Sequence, residues 1–162
     1  MAIALAEARK SPPRPSNFCV GACLVAPSAS GERGLLCTGY TLECDGNTHA
    51  EQSCFVKLAA QIGCHESELG QHLPPGTVLY TTMEPCFKRS IGNTPCVDRV
   101  LALKDREGGQ AITTVYVGVA EPTTFVGVNE GRKKLESAGI AVTHVSGYED
   151  EILEVATAGH NE

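Results

Sequence analysis

Five apolar stretches along the chain have the length and composition of β-strands. Each is rich in aliphatic, threonine or tyrosine residues and is bounded by glycine, proline or polar residues, which is typical of buried or half-buried strands. The first two flank a turn-rich segment, residues 27–34, and predict a hairpin. The predicted strands are Phe18–Ala26, Gly34–Tyr40, Thr77–Thr81, Ile112–Ala120 and Ile140–Val145.

Helical segments surround and separate these strands. We expect Thr48 to cap the second helix, because Glu51 three residues later completes a capping box, and we expect Gly63 to end it. The segment 64–76 is a polar connector with room for one helical turn. This order predicts one three-layer α/β domain over residues 1–162 with a mixed sheet. The predicted helices are Met1–Lys10, Thr48–Ile62, Cys96–Leu103, Asn129–Ser137 and Glu149–Thr157, and Glu121–Val128 is a predicted loop.

Charge and composition narrow the function classes. The 162 residues carry a net charge of -6 and no tryptophan, so neither the basic stripe of a nucleic-acid binder nor an aromatic platform for single strands is expected. No apolar run has the length of a membrane span. The first ten residues, interrupted by Glu7 and Arg9, lack the order of a secretory signal. We therefore expect a small-molecule substrate, no nucleic-acid or membrane partner, and a cytoplasmic location.

The chain contains eight cysteines, a high count for its length. We expect no secretory signal, and apolar residues make up 42% of the chain, so we expect a reducing compartment and a core that needs no disulfides. Four histidines without a partner pattern are expected to be ordinary polar residues, namely His65, His72, His144 and His160. Six cysteines are expected to be packing residues, namely Cys19, Cys23, Cys37, Cys44, Cys54 and Cys64. Cys44 is the one nearest in sequence to the motif that follows.

The two remaining cysteines belong to a metal-binding pattern. His49 lies at the predicted start of one helix, and Cys86 and Cys96 lie in a loop that enters another. A helix N-terminus lowers the pKa of a thiol. One imidazole and two thiolates suit zinc, and three protein ligands leave the fourth position of a catalytic zinc open. Taken singly, these residues could be coincidental or form a structural zinc site, but together they predict a catalytic Zn²⁺.

Glu51 lies two residues after His49, within reach of a water on that zinc without being needed as a ligand. Zinc makes hydroxide available near neutral pH, and a carboxylate there can carry a proton from the water to a leaving amine. The order H-x-E…P-C-x-x-C is the signature of zinc nucleobase deaminases. Here nine residues, 87–95, separate Cys86 from Cys96. We call this segment the insert loop and expect it to help to build the substrate pocket.

Three strings, 47–52 (NTHAEQ), 79–86 (LYTTMEPC) and 92–96 (GNTPC), resemble the pyrimidine deaminases of riboflavin biosynthesis. The insert loop and the segments 118–126 (GVAEPTTFV) and 147–151 (GYEDE) look like the fungal form, and the likeness runs from Asn17 to His160. The resemblance implies a cytidine-deaminase-like α/β/α fold with a five-stranded mixed sheet, a catalytic zinc and a homodimer. It also implies hydrolytic deamination of 2,5-diamino-6-ribitylamino-4(3H)-pyrimidinone 5′-phosphate.

The resemblance further implies residues that contact the substrate. Asn17 matches a pocket asparagine of the family, and Glu84 matches the acidic residue of its Glu-Pro-Cys motif. Glu121 falls where bacterial members carry a loop near the ribityl phosphate arm. Lys88 or Arg89, in the insert loop, is either a phosphate ligand or part of a solvated loop tip. The expected set also includes Asn47, Thr82 and Asn93.

Other functions stay open at the level of the sequence. Deaminases of cytidine, deoxycytidylate or guanine share the zinc chemistry but usually keep two residues between the cysteines. A tRNA-editing deaminase is disfavoured by the acidic charge, and a zinc-stabilised binding module without catalysis is a rival from another class. The sequence contains neither the reductase domain of many bacterial members nor the pseudouridine-synthase-like domain of fungal ones. A stand-alone protein and an excised domain are therefore both compatible with it.

Overall fold

A five-stranded sheet forms the centre of the computed structural model, which describes residues 1–28, 31–121 and 130–160. The strands are β1 Gly21–Pro27, β2 Arg33–Tyr40, β3 Thr77–Met83, β4 Ile112–Val119 and β5 Ala141–His144. Their order across the sheet is β2-β1-β3-β4-β5. β1 pairs antiparallel with β2 and β3, whereas β3, β4 and β5 run parallel to one another. The predicted mixed sheet is therefore confirmed.

Helices cover both faces of the sheet. They are α1 Ala2–Ala8, α2 Ala50–Ile62, α3 Cys96–Ala102, α4 Gly131–Ser137 and α5 Glu149–Ala156. Side chains of α2, α3 and α4 share one core with the sheet, and those of α1 and α5 pack on its other side. This gives the three layers that the sequence predicts. In the described ranges, no helix has the length and apolarity to cross a membrane.

Alternating residues of β1 serve the two cores, because successive side chains of a strand point to opposite faces. Leu24 packs into the larger core together with Phe55 of α2. Cys23 and Val25 pack on the other face with Ala4 of α1. The larger core also contains buried residues of α3. It therefore fixes both helices that carry residues of the metal-binding pattern against the same face of the sheet.

Most predicted elements are present, with shifts at their ends. β3 continues to Met83, beyond the predicted end at Thr81. The connector 64–76 contains a seven-residue 3₁₀-helix, Glu66–His72, which is longer than the one turn expected. Asn129 and residues 122–128 of the predicted loop lie outside the described residues.

The predicted capping box at the start of α2 is wrong. The N-cap residue is His49, in an extended conformation and without a side-chain capping hydrogen bond. The Thr48 hydroxyl instead donates to the Cys44 carbonyl oxygen and accepts from the Cys44 N–H, each at 3.2 Å. This pair of contacts closes the loop before the helix. As a result the N-cap lies one residue later than expected, and His49 is at the junction of loop and helix.

The contact between β2 and α2 depends on Gly39. A Cβ atom at this position would lie 2.5 Å from the Ala50 carbonyl oxygen and 2.7 Å from the Cys54 amide nitrogen. No larger residue fits there unless strand and helix separate. At its other end α2 stops at Gly63, whose φ of 83° is the left-handed conformation that glycine adopts at helix C-termini, as the sequence predicts.

Candidate metal centre and substrate pocket

Three separate segments bring one imidazole and two thiols together. His49 lies at the N-cap of α2, Cys86 in the loop after β3, and Cys96 in the first turn of α3. His49 Nδ1 is 3.4 Å from Cys86 Sγ and 3.5 Å from Cys96 Sγ. The ligand atoms of all three residues lie within 4.8 Å of one another, so that they could hold one metal ion.

The surroundings of the two thiols favour metal binding. The Cys96 backbone N–H donates to Cys86 Sγ at 3.3 Å, and both side chains are buried. Hydrogen bonding from Cys96, and then the hydrogen bond and charge of His49, lower the pKa of Cys86 to about 4 in spite of burial. The pairing with Cys86, together with burial, raises the pKa of Cys96. One imidazole and two cysteine sulfurs are a donor set that fits Zn²⁺.

Glu51, in the first turn of α2, is only 3% exposed. Burial raises the pKa of its carboxyl, and the charge of Cys86 raises that pKa further. The Thr81 hydroxyl lies 3.5 Å from Glu51 Oε1 and donates to the Met83 carbonyl oxygen at 2.9 Å. A buried carboxyl of increased proton affinity beside a metal-binding cluster is suited to accepting and returning a proton.

The cluster opens into a cavity of about 220 Å³. The most buried of its lining residues are Glu51, Met83, Cys86 and Thr41, and we refer to them as its floor. Lys88 and Ser90 of the insert loop are exposed and lie at its rim. Five of the seven residues expected to bind substrate line the cavity, namely Asn17, Asn47, Glu84, Lys88 and Glu121.

Two of the acidic lining residues, Glu84 and Glu121, lie at the carboxyl edge of the parallel strands. The Glu84 backbone N–H donates to the Val119 carbonyl oxygen at 2.9 Å, which joins the ends of β3 and β4. Glu121 follows the end of β4, and burial, with the charges of Cys86 and Glu51, raises its pKa to about 7. Ligands of open α/β sheets bind at this edge, so the position of both residues agrees with a role in the pocket.

Thr82 and Asn93 were expected in the pocket, but the structure places them elsewhere. Thr82 is fully buried, and its hydroxyl accepts a hydrogen bond from the Gly21 backbone N–H at 3.1 Å. Successive residues of a strand face opposite sides, and in β3 it is Thr81 that lies beside Glu51. The exposed Asn93 donates from its side-chain amide to Ser90 Oγ at 3.1 Å, within the insert loop. Neither residue therefore lines the cavity, although Asn93 contacts Ser90 at its rim.

The insert loop is fixed to the start of α2 through Arg89. Its guanidinium donates to the Gln52 side-chain oxygen at 3.0 Å and to the Asn47 carbonyl oxygen. Lys88, the preceding residue, is exposed at the rim of the cavity. The two basic residues that the sequence left as equivalent candidates therefore differ. Both residues line the cavity, but Arg89 also holds the loop in place through these hydrogen bonds, whereas Lys88 is exposed at the rim.

His160 lines the cavity, although its sequence context predicts an ordinary polar residue. Its Nε2 is 2.8 Å from the Asn17 carbonyl oxygen, and its ring lies 4.8 Å from that of Phe18, centroid to centroid. Contacts between the two ends of a chain leave no periodicity or spacing in the sequence. One signal in the sequence did indicate His160, because the likeness to the deaminase family extends as far as this residue. The other lining residues that the sequence did not indicate are Ser16, Phe18, Val20, Thr41, Met83 and Ser90.

All eight cysteines are free of disulfide bonds in the structure. The packing role expected of six agrees best with the burial of Cys19, Cys23 and Cys54. Cys37, Cys44 and Cys64 are half-buried. Cys44, nearest in sequence to the motif, contacts Thr48 through its backbone and is not part of the metal-binding cluster.

Residues 1–108 match the cytidine and deoxycytidylate deaminase zinc-binding region. The chain belongs to this family. The family's zinc-binding region and the His/Cys/Cys cluster together identify Zn²⁺ as the cofactor, as predicted. The diaminohydroxyphosphoribosylamino-pyrimidine deaminase of Schizosaccharomyces pombe is 36% identical over 157 residues, which are 97% of this chain and 34% of that protein. The chain thus spans about a third of the length of this curated relative.

Solved structures of the Aspergillus oryzae Rib2 deaminase, in the form of a C-terminal deletion mutant, share the fold of this family member. The structure at pH 4.6 is 45% identical with a TM-score of 0.89, covering 99% of this chain and 90% of that one. The complex with DARIPP at pH 6.5 is 45% identical with a TM-score of 0.84, covering 98% and 88%. The predicted resemblance to the fungal riboflavin-pathway deaminases and the cytidine-deaminase-like fold are both confirmed.

Proposed function

We propose that the chain catalyses the hydrolytic deamination of 2,5-diamino-6-ribitylamino-4(3H)-pyrimidinone 5′-phosphate in riboflavin biosynthesis. Water replaces one amino group of the ring, so that a C–N bond breaks, a C–O bond forms, and a 5-amino-6-ribitylamino-pyrimidinedione phosphate and ammonia leave. The observation that carries the proposal is the position of buried Glu51 beside the His49, Cys86 and Cys96 cluster on the floor of one cavity.

The proposed ligands of Zn²⁺ are His49, Cys86 and Cys96. Zinc bound there acts as a Lewis acid that lowers the pKa of water and makes it nucleophilic near neutral pH. Glu51 takes a proton from the attacking water and delivers it to the amine as it leaves. The raised pKa of Glu51 supports this role, because its carboxyl can hold the proton between the two transfers.

The lining of the cavity supports a substrate with a polar ring and a charged arm. Glu84 can accept a hydrogen bond from a ring N–H or amino group, a partner that a half-buried carboxylate needs. At the rim, the exposed ammonium of Lys88 suits the phosphate. The A. oryzae enzyme forms a complex with DARIPP, which supports the ribityl substrate. The S. pombe relative is named for the phosphoribosylamino form, which is therefore the competing substrate in any assay.

We also propose that residues 1–162 form one deaminase domain, that the protein is a homodimer, and that it acts in the cytoplasm. The continuous sheet supports a single domain. The homodimer rests on the family resemblance, and the location rests on the composition and the expected reduced thiols.

The variant Glu51→Gln tests the proposed mechanism. Glutamine keeps the size of the side chain but cannot carry the proton, so ammonia release from the ribityl substrate should fall by roughly 10²–10⁴-fold, with zinc still bound stoichiometrically. The matched control is Glu107→Gln, at an exposed residue away from the cavity, which should keep wild-type activity. Full ammonia release by zinc-loaded Glu51→Gln would show that the mechanism is wrong, and loss of zinc would make Glu51 a ligand instead.

A further inference from the structure

We infer that His160 is part of the cavity wall that receives the ribityl phosphate arm of the substrate, and that it determines affinity for this arm. The inference rests on the proposed function, because that function supplies the arm. It assigns a recognition role to a segment that follows the last zinc-binding residue, Cys96, by more than sixty positions.

The segment that carries His160 is closely packed against the N-terminal part of the chain. After α5 it turns back, with the His160 backbone N–H donating to the Thr157 carbonyl oxygen at 2.9 Å. A Cβ atom at Gly159 would lie 2.3 Å from the backbone nitrogen of Arg14 and 2.7 Å from its carbonyl oxygen. Only glycine allows this approach, so the segment occupies a defined place on the surface beside the cavity.

The contacts of the imidazole of His160 include the Asn17 backbone and the Phe18 ring. A carbonyl oxygen can only accept, so the 2.8 Å contact with the Asn17 carbonyl oxygen places the donated proton on His160 Nε2. The ring also packs on Phe18 at a centroid distance of 4.8 Å and an interplanar angle of 56°. His160 thereby fixes the backbone of the two residues that form the cavity wall next to it.

Burial orders the lining residues from floor to rim. Glu51 is nearly inaccessible and Lys88 is exposed, whereas Asn17, Phe18 and His160 are half-buried. The pyrimidine ring has to reach the floor, because the amino group that is lost must meet Glu51. The polyol phosphate arm then extends towards the rim along the intermediate wall. The side-chain amide of Asn17, whose backbone His160 holds in place, provides polar atoms that suit its hydroxyl groups.

The test uses the zinc-loaded protein and measures recognition of the arm separately from recognition of the ring. The quantities measured are kcat and KM for the ribityl phosphate substrate, and the competitive inhibition constants of ribitol 5-phosphate and of armless 2,5,6-triamino-4(3H)-pyrimidinone. His160→Ala should raise KM for the substrate and the inhibition constant of ribitol 5-phosphate about three- to tenfold, the effect of one lost hydrogen bond. The value of kcat and the inhibition constant of the armless ring should stay unchanged.

Three further variants sharpen the result, with zinc content and circular dichroism as checks of folding. His160→Gln should recover most of the affinity for the arm, because its amide N–H can still donate to the Asn17 carbonyl oxygen. Gly159→Val should reproduce His160→Ala, because its side chain collides with Arg14. His72→Ala, at an exposed histidine away from the cavity, should match wild type.

Two outcomes overturn the inference alone. One is an equal loss of affinity for arm and ring in His160→Ala, which would mean a purely structural role. The other is no change for either ligand. If wild-type protein releases no ammonia from the ribityl substrate, the proposed function itself is wrong and the inference fails with it.

Discussion

Lys88 and Arg89 are neighbours in the insert loop, but the structure gives their side chains different surroundings. The Arg89 guanidinium is bound to Gln52 and to the backbone of Asn47, so its charge stabilises the fold of the loop. Lys88 is exposed at the rim of the cavity. Both side chains line the cavity, and a phosphate bound by Lys88 would leave the hydrogen bonds that Arg89 makes to Gln52 and Asn47 intact.

Lys88→Ala should weaken recognition of the phosphate specifically. A hydrogen bond to a charged group contributes about 1.5–3 kcal/mol, so KM for the phosphorylated substrate should rise roughly tenfold or more, while the dephosphorylated substrate is unaffected. Arg89→Ala should instead lower the thermal midpoint. Steady-state kinetics with both substrates and a thermal melt decide between the roles. Equal effects of Lys88→Ala on both substrates would remove Lys88 from the phosphate site.

The sequence predicts residues of this site well where the chemistry fixes spacing and residue type. His49, Glu51, Cys86 and Cys96 are such residues, and the structure brings them together. Thr82 is different. The family resemblance covers the whole string 79–86, but only alternate residues of the strand face the site, and Thr82 is not one of them. Its hydroxyl contacts the Gly21 backbone N–H instead.

At the scale of the elements, the place of α2 decides where His49 and Glu51 lie. The helix is held by the larger core and by its close contact with β2 at Gly39. Because the contact involves backbone atoms of the helix, a side chain at Gly39 cannot be accommodated by a change of rotamer. The geometry of the site therefore depends on a glycine that does not line the cavity.

Gly39→Ala should destabilise the protein by about 1–3 kcal/mol, the usual cost of overpacking a close contact, and should also lower deaminase activity. The matched control is Gly34→Ala in the same strand, where the nearest atom to an added Cβ is the Ala26 carbonyl oxygen at 3.9 Å. The control should stay within about 0.5 kcal/mol of wild type. Chemical denaturation measures both, and equal stability of the two variants would contradict this account of the contact.

Helices and strands are predicted correctly where a hydrophobic pattern extends over many residues. The prediction fails where nearby polar groups compete for the same hydrogen bond. The five strands follow from their apolar runs and flanking turns. The capping box at α2 has the correct residue types and spacing. The loop before the helix nevertheless uses the Thr48 hydroxyl for the backbone of Cys44, and the sequence does not reveal such a competing tertiary contact.

At the scale of the whole molecule, zinc joins three segments that are distant in the sequence. Its proposed ligands come from the start of α2, the loop after β3 and the start of α3. A ligand that binds only the folded state stabilises that state by mass action. Metal binding should therefore contribute to the stability of the entire domain as well as to catalysis.

Removal of zinc with a chelator should lower the thermal midpoint. Saturation at 100 times the dissociation constant corresponds to about 2.7 kcal/mol, or roughly 5–10 °C for a domain of this size. Cys86→Ser should abolish the zinc-dependent shift, whereas Cys64→Ser, outside the cluster, should keep it. Differential scanning calorimetry with and without zinc measures the effect, and identical midpoints in wild type would contradict the proposed ligand set.

The fold and family of the whole molecule are more predictable than the shape of its cavity. The order of elements and the three motif strings are enough for the α/β/α fold and the deaminase family. The wall formed by Asn17, Phe18 and His160 depends on contact between the two ends of the chain. No local pattern encodes that contact, because it joins Asn17 to His160, 143 residues further along the chain.

The most direct test of the central claim is a comparison of kcat/KM for ammonia release among five substrates. These are the ribityl pyrimidine phosphate, its ribosyl counterpart, cytidine, deoxycytidylate and guanine. A pocket that forms specific polar contacts discriminates strongly against compounds that cannot make them. We predict the highest kcat/KM for the ribityl compound and no significant turnover of the last three. Turnover of cytidine, deoxycytidylate or guanine without turnover of the ribityl compound would contradict the proposed function.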